Sequence, residues 1–244
     1  MSFRYLRPDE MMTANATVTV NSSTLDTAYT AGWLCDLRVG FPVRGASTGL
    51  DLTVVGTTKT VDFVAATHLR LDDAVNITLS AGLTATLDGG DTPPNGIPIN
   101  RYKVIAPASS SGCRFVITGN SVAPIVGEFW AGASRTLPRE LRLGAQHSMQ
   151  RHNLSADAEF ASILPYNKGL DGEVLTGNQV YSASEFLHIQ DWYRSCRDGS
   201  LPTVIVTCDG VCRVVFFTDL TFEEMALEHY RVFFTFTELP RTGW

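Results

Sequence analysis

The sequence predicts a mainly β protein, with an N-terminal antiparallel jelly-roll sandwich and a C-terminal β-sandwich carrying one α-helix. Three observations carry this reading. Short runs rich in Val, Ile, Thr and Phe recur through the first half, with Gly, Pro, Ser, Asn and Asp between them. One stretch, opening at Ser182, keeps a helical period. Three strong strand-like runs then close the chain.

In the first half the strand-like runs fall at residues 16–20, 50–55, 61–65, 75–79, 102–105, 114–118 and 125–130. Residues 87–98 read as a long loop, because Pro lacks the ladder donor and Gly and Asn favour turns. Between about residues 137 and 155 the sequence turns polar and alternation stops, which predicts two modules, 1–137 and 138–244, joined by a linker.

The second module opens with a strand-like run at 159–164 and a Gly-rich connection. Its helix is expected over 182–197. Ser182 and Glu185 have the spacing of a capping box, and Phe186, Ile189, Tyr193 and Cys196 recur on one face. Asp198-Gly199 ends it and Pro202 prevents continuation. A hairpin follows over 203–219 with its turn at Asp209-Gly210, read as a two-residue connection that pairs Cys208 with Val211 and Thr207 with Cys212. The last strand is expected over 229–238. Apolar residues fall on both faces of these strands, with Val204 and Val206 opposite Ile205, and Val232, Phe234 and Phe236 opposite Phe233. Such a sheet is covered on both sides. One helix covers one side, so Val204, Val206, Phe217, Phe233, Phe234 and Phe236 are the candidate assembly face.

Bulk properties exclude several classes. The net charge is −6, from 19 basic and 25 acidic residues; the two halves divide them as 10 against 11 and 9 against 14. Neither half has the clustered Lys and Arg that hold nucleic acid. The N-terminus is charged throughout and no apolar run approaches the roughly 18 residues of a membrane helix. Neither export nor a membrane span is expected. Five cysteines at irregular spacing are expected to be reduced thiols.

No phosphate-cradling loop, nucleophile elbow or dinucleotide fingerprint occurs. The five histidines stand alone and read as surface residues, so neither metal nor cofactor is expected. The acidic pairs Asp72-Asp73 and Glu223-Glu224 read as solvated turns, and no enzymatic activity is expected. The aromatic residues Tyr29, Trp33 and Phe41, interleaved with Arg38 and Arg44, form the candidate contact site for a ligand or partner, because Trp and Tyr beside Arg make stacking platforms. The alternative is that Trp33 and Leu37 plug the end of the sandwich.

Three stretches of the first half, residues 29–44, then 50–54 with 61–71, and finally 102–105, 113–117 and 125–132, resemble the galactose-binding-like, or discoidin-like, jelly-roll module of phage tail and virion proteins. The last stretch ends in a Gly-Glu-aromatic-x-Gly pattern, Gly127-Glu128-Phe129-Trp130-Ala131-Gly132. The second half is similar to the modules of tail-tube and distal-tail proteins that polymerise into rings, on its helix, its Asp209-Gly210 hairpin and its strand 230–239.

The resemblance implies a minor or distal tail protein of a bacteriophage, made in the bacterial cytoplasm and carried in the virion. Its partners would be itself, as a hexameric or else trimeric ring, and other tail proteins. The alternatives are a carbohydrate- or receptor-binding virion module taking a host-surface glycan, and a head decoration protein.

Overall fold

The computed structural model describes residues 2–37, 42–70, 73–87, 89–90, 99–118, 122–141, 143–146, 174–225 and 227–238. In chain order the strands are β1 (Arg4–Met11), β2 (Thr17–Val20), β3 (Val43–Arg44), β4 (Gly49–Leu69), β5 (Ala74–Leu79), β6 (Thr84–Thr86), β7 (Gly89–Gly90), β8 (Ile99–Thr118), β9 (Ile125–Val126), β10 (Phe129–Thr136), β11 (Gly144–Gln146), β12 (Val174–Ser182), β13 (Pro202–Val206), β14 (Cys212–Met225) and β15 (His229–Glu238). A 3-10 turn spans Ala31–Cys35, and the helix α1 spans Ala183–Ser195. The chain is a mainly antiparallel β protein with one long helix among the described residues, as the sequence predicts.

Two compact units emerge. One holds Glu10–Ser134; the other holds residues 2–9 together with 135–146 and 174–238.

In the first unit β4 and β8 are single strands of 21 and 20 residues where the sequence suggests two runs each. The front of β4 pairs with β2 and its rear with β10, while β8 follows it along both. The ladder slips between Val55 and Lys59, which pair with the buried Gly112 and Ser110. Only Gly fits at position 56 in this stretch, since a Cβ there would lie 1.9 Å from the Met12 carbonyl oxygen. Leu50, Leu52 and Val54 from the front and Val61, Val64 and Ala66 from the rear then meet in one core with Phe115, Ile117 and Phe129. Each of these Val, Leu, Ile and Phe side chains contributes about 1.5–3 kcal/mol of burial. The run read as 125–130 is broken at Gly127-Glu128, which separates β9 from β10.

In the second unit the strand order is β11-β12-β15-β14-β13-β1. Two parts of it contradict a simple reading of composition. The charged N-terminus supplies β1, with Arg4, Tyr5 and Leu6 opposite Val206, Ile205 and Val204. The polar stretch read as linker supplies β11, paired with Val174–Thr176 of β12, and it places Leu137 and Leu141 in the core.

The helix begins as expected. The Ser182 N–H donates to Glu185 Oε2 at 2.8 Å and the Glu185 N–H reaches Ser182 Oγ at 3.5 Å, so the capping box is complete. It stops two residues short of the expected end, and Arg197, Asp198 and Gly199 follow with φ of 48°, 51° and 92°. Its buried face carries Phe186, Ile189 and Trp192; Tyr193 is only half-buried. Trp192 stacks on Tyr5 at 4.0 Å and lies 4.7 Å from the Phe217 ring, and its indole N–H donates to Thr203 Oγ1 at 3.3 Å.

The Asp209-Gly210 turn differs from its expected register by one residue. Val206 faces Cys212 and the Thr207 N–H donates to the Val211 carbonyl, leaving a three-residue loop of Cys208, Asp209 and Gly210. Gly210 takes φ 85°, the left-handed position such a loop requires, and the Thr207 hydroxyl donates to Asp209. Cys208 therefore sits in the turn rather than on a strand. None of the five cysteines is joined in a disulfide.

The candidate assembly residues are largely covered within the chain. Phe217, Phe234 and Phe236 pack in the core with Trp192, and Val204 and Val206 are 1% exposed on the opposite face. Phe233 is half-buried. Both faces are covered, as their apolar character predicts, but these six side chains do not form an open surface.

Candidate functional site

The segment that carries the candidate aromatic site is tied down at both ends. At its start, Asn21 N–H donates to the Asp51 carbonyl, and Leu25 bridges Gly45. The Asp26 N–H then donates to the Arg44 carbonyl at 3.1 Å, and the Tyr29 N–H to the Asp26 carbonyl at 2.9 Å. The 3-10 turn follows, with the Trp33 N–H donating to the Thr30 carbonyl.

This geometry brings Tyr29 and Trp33 together edge to face, with ring centroids 6.2 Å apart and planes at 78°. Both are half-buried. Leu34 and Cys35, next in the turn, are fully buried, and part of Trp33 rests on the same core. The core is closed here by Leu34 and Cys35 rather than by the expected Leu37, which is half-buried, and part of each of the Tyr29 and Trp33 rings is accessible. Arg44 joins the site through its backbone and is half-buried; Arg38 and Phe41 lie outside the described residues.

The far end of the turn rests on a carboxyl group. Leu37, at φ 63°, donates its N–H to Glu128 Oε1 at 3.0 Å. Glu128 is fully buried, and its Oε2 has no hydrogen-bond partner among the described residues. Burial first, and the nearby Asp36 second, push its carboxyl well above the usual carboxylate range. The Glu128 carbonyl accepts the Thr67 N–H, and the Gly127 N–H donates to the Thr67 carbonyl. Beside them His68 is 7% exposed at φ 60°, with Nδ1 3.1 Å from Thr67 Oγ1. The expectation of a surface histidine fails here because the ring fills the space over Gly127, where a Cβ would lie 2.1 Å from Nδ1.

A second polar constellation was not visible in the sequence. Asp51 accepts two hydrogen bonds from Arg114, at 3.0 and 2.7 Å, one from Asn21 Nδ2 and one from Ser22 Oγ. These bonds, Arg114 foremost, hold its carboxyl well below the usual range. Only the register places Asp51 beside Arg114, 63 residues away in the chain. With its acceptors occupied, this cluster braces the sheet rather than awaiting a substrate.

Asp73, expected in a solvated turn, is 2% exposed and accepts the Arg70 N–H at 3.0 Å, while Glu223 and Glu224 are exposed as expected but lie within β14, paired with β15, rather than in a connection between strands. Asp72 lies outside the described residues. Among the described residues no group of three or more His, Cys, Asp or Glu is arranged to hold a metal, and no helix is long and apolar enough to cross a membrane.

The architecture places the first unit among antiparallel β-sandwiches. No family model and no curated protein sequence matches the chain. Solved structures do align with about half of it. SpGH29 aligns at 17% identity and a TM-score of 0.41, over 52% of this chain and 28% of its own length. CpGH89CBM32-4 of Clostridium perfringens, in complex with glcNAc-α-1,4-galactose, aligns at 14% identity and a TM-score of 0.38, over 53% of this chain and 94% of its own. Chitosan-binding module 1 of a Paenibacillus sp. IK-5 chitosanase/glucanase aligns at 18% identity and a TM-score of 0.39, over 50% of this chain and 98% of its own. Likeness at this level assigns neither family nor ligand.

Proposed function

We propose that this chain is a non-catalytic binding protein whose first unit holds a saccharide against the Tyr29–Trp33 pair. The observation that carries the reading is that pair: two half-buried rings held edge to face on a turn locked through Leu37 and Glu128 at one end and through Asp26 and Arg44 at the other. A rigid aromatic surface suits the apolar face of a pyranose, and holding it in place before binding lowers the entropic cost of a weak contact.

The test is a glycan array probed with the full chain, including the galactose-containing disaccharides bound in solved structures of the kind named above. Binding that disappears in Trp33→Ala and weakens in Tyr29→Ala is expected. Binding that survives both substitutions would overturn the assignment of the site.

A second reading is a structural component of a phage tail, carried in the virion. It draws on the second unit, a capped helix laid over a sheet built on a long hairpin. Ring formation on this reading needs a surface other than Val204, Val206, Phe217, Phe234 and Phe236, which the chain itself buries.

A further inference from the structure

We infer that the outer edge of β14, residues 219–225, is a docking strand for an extended, cationic segment of another protein. The inference does not rest on the saccharide reading, since it concerns the other unit. β13 pairs with β14 only as far as Phe216, whereas β15 pairs with it as far as Met225. Among the described residues no strand meets the other edge of residues 219–225. Every residue from Thr218 to Met225 except Leu220 is exposed. About 23 Å of strand backbone is thus open to pairing.

The edge is braced. Phe222, half-exposed at 50%, packs at 4.7 Å on Phe186 of the helix and at 6.0 Å on Tyr230 of β15. A strand held in place before its partner arrives suits strand addition.

Charge selects the occupant. Asp219, Glu223 and Glu224 lie on the open strand, and Arg231 of β15 is 3.9 Å from Glu223. A second copy of this chain is disfavoured: every antiparallel register centred between Thr221 and Glu224 sets two of these carboxylates opposite or diagonal to one another. A strand alternating Lys or Arg with apolar residues meets the same carboxylates favourably and lays its apolar side chains beside Phe222 or Met225. The acidic residues thereby exclude self-association and admit a cationic partner.

The probes are two synthetic decapeptides of equal charge. One alternates Lys and Val; in the other, two central Val residues are replaced by Pro so that it cannot form a strand. Binding to the full chain is followed by fluorescence anisotropy, with hydrogen–deuterium exchange across residues 219–225. Binding of the Lys–Val peptide, with slowed exchange in that segment, is expected. About tenfold weaker binding is expected for the Pro peptide, and for the Lys–Val peptide with the exposed double variant E223K/E224K. Equal binding of the two peptides, unchanged exchange, or self-association of the chain through this edge would each overturn the proposal.

Discussion

Glu128 accepts the backbone N–H of Leu37 at 3.0 Å, joining residues 91 apart in the chain. This contact fixes the exit of the turn that carries Trp33, and it uses a buried carboxyl group whose second oxygen has no partner among the described residues. Burial raises this carboxyl, so the stability of the fold around it is expected to depend on pH.

The Glu128 carboxyl titrates well above the usual carboxylate range when folded. The folded state keeps a proton that the unfolded chain releases, so this contribution is complete below the unfolded pKa and declines as pH rises toward the raised value. Urea unfolding from about pH 4 to about pH 8 should show Glu128→Gln gaining on the wild type as pH rises. Parallel profiles would contradict a raised Glu128 carboxyl.

Asp51 behaves oppositely. Its folded pKa is depressed, so the stability it contributes is present above the unfolded carboxylate pKa and is lost as pH falls. Asp51→Ala is expected to cost about 1–3 kcal/mol at neutral pH, because Asn21, Ser22 and Arg114 lose one shared acceptor. Arg114→Ala should cost less than Asp51→Ala, since that side chain is 61% exposed. Equal losses in the two variants would mean that the ion pair, not the Asp51 acceptor set, braces the sheet.

Trp192 centres the second unit, where Phe3, Tyr5, Phe217 and Phe236 surround it. Trp192→Ala is expected to destabilise this unit by about 3–5 kcal/mol, measured by chemical denaturation. A loss below about 1 kcal/mol would contradict this packing.

The thiols differ in access. Cys208 is half-buried in its turn, while Cys35, Cys113, Cys196 and Cys212 are buried. Burial pushes the Cys113 and Cys196 thiols up to about 12 and raises Cys35 as well. Iodoacetamide at neutral pH should label Cys208 first in the native protein, read by peptide mass. Rapid labelling at Cys35 would show that the turn beneath Trp33 is open.

Much of the architecture could be read from local pattern. The capping box at Ser182 and Glu185, the strand at 229–238 and the two-faced apolar sheet each depend on residues close in sequence. Other features depend on distant partners. Trp192 was passed over because Tyr193 fits the same helical stripe; only packing against Tyr5 and Phe217 shows which ring turns inward. The Asp209-Gly210 dipeptide suits both two- and three-residue loops, and the Thr207 hydroxyl with the left-handed Gly210 selects the longer. Charges hid β1, because its pairing partner β13 lies about 200 residues away. Of the candidate site, the Tyr29–Trp33 pair was legible from spacing, whereas its anchor at Glu128 was not.

The central claim is that Trp33 forms the floor of a saccharide site, and calorimetric titration of the full chain with the strongest array ligand tests it most directly. The account predicts saturable binding by the wild type and a loss of about tenfold or more in Trp33→Ala, with unfolding midpoints showing both proteins folded. Equal affinity in the folded variant, or no saccharide bound by the wild type, would contradict it.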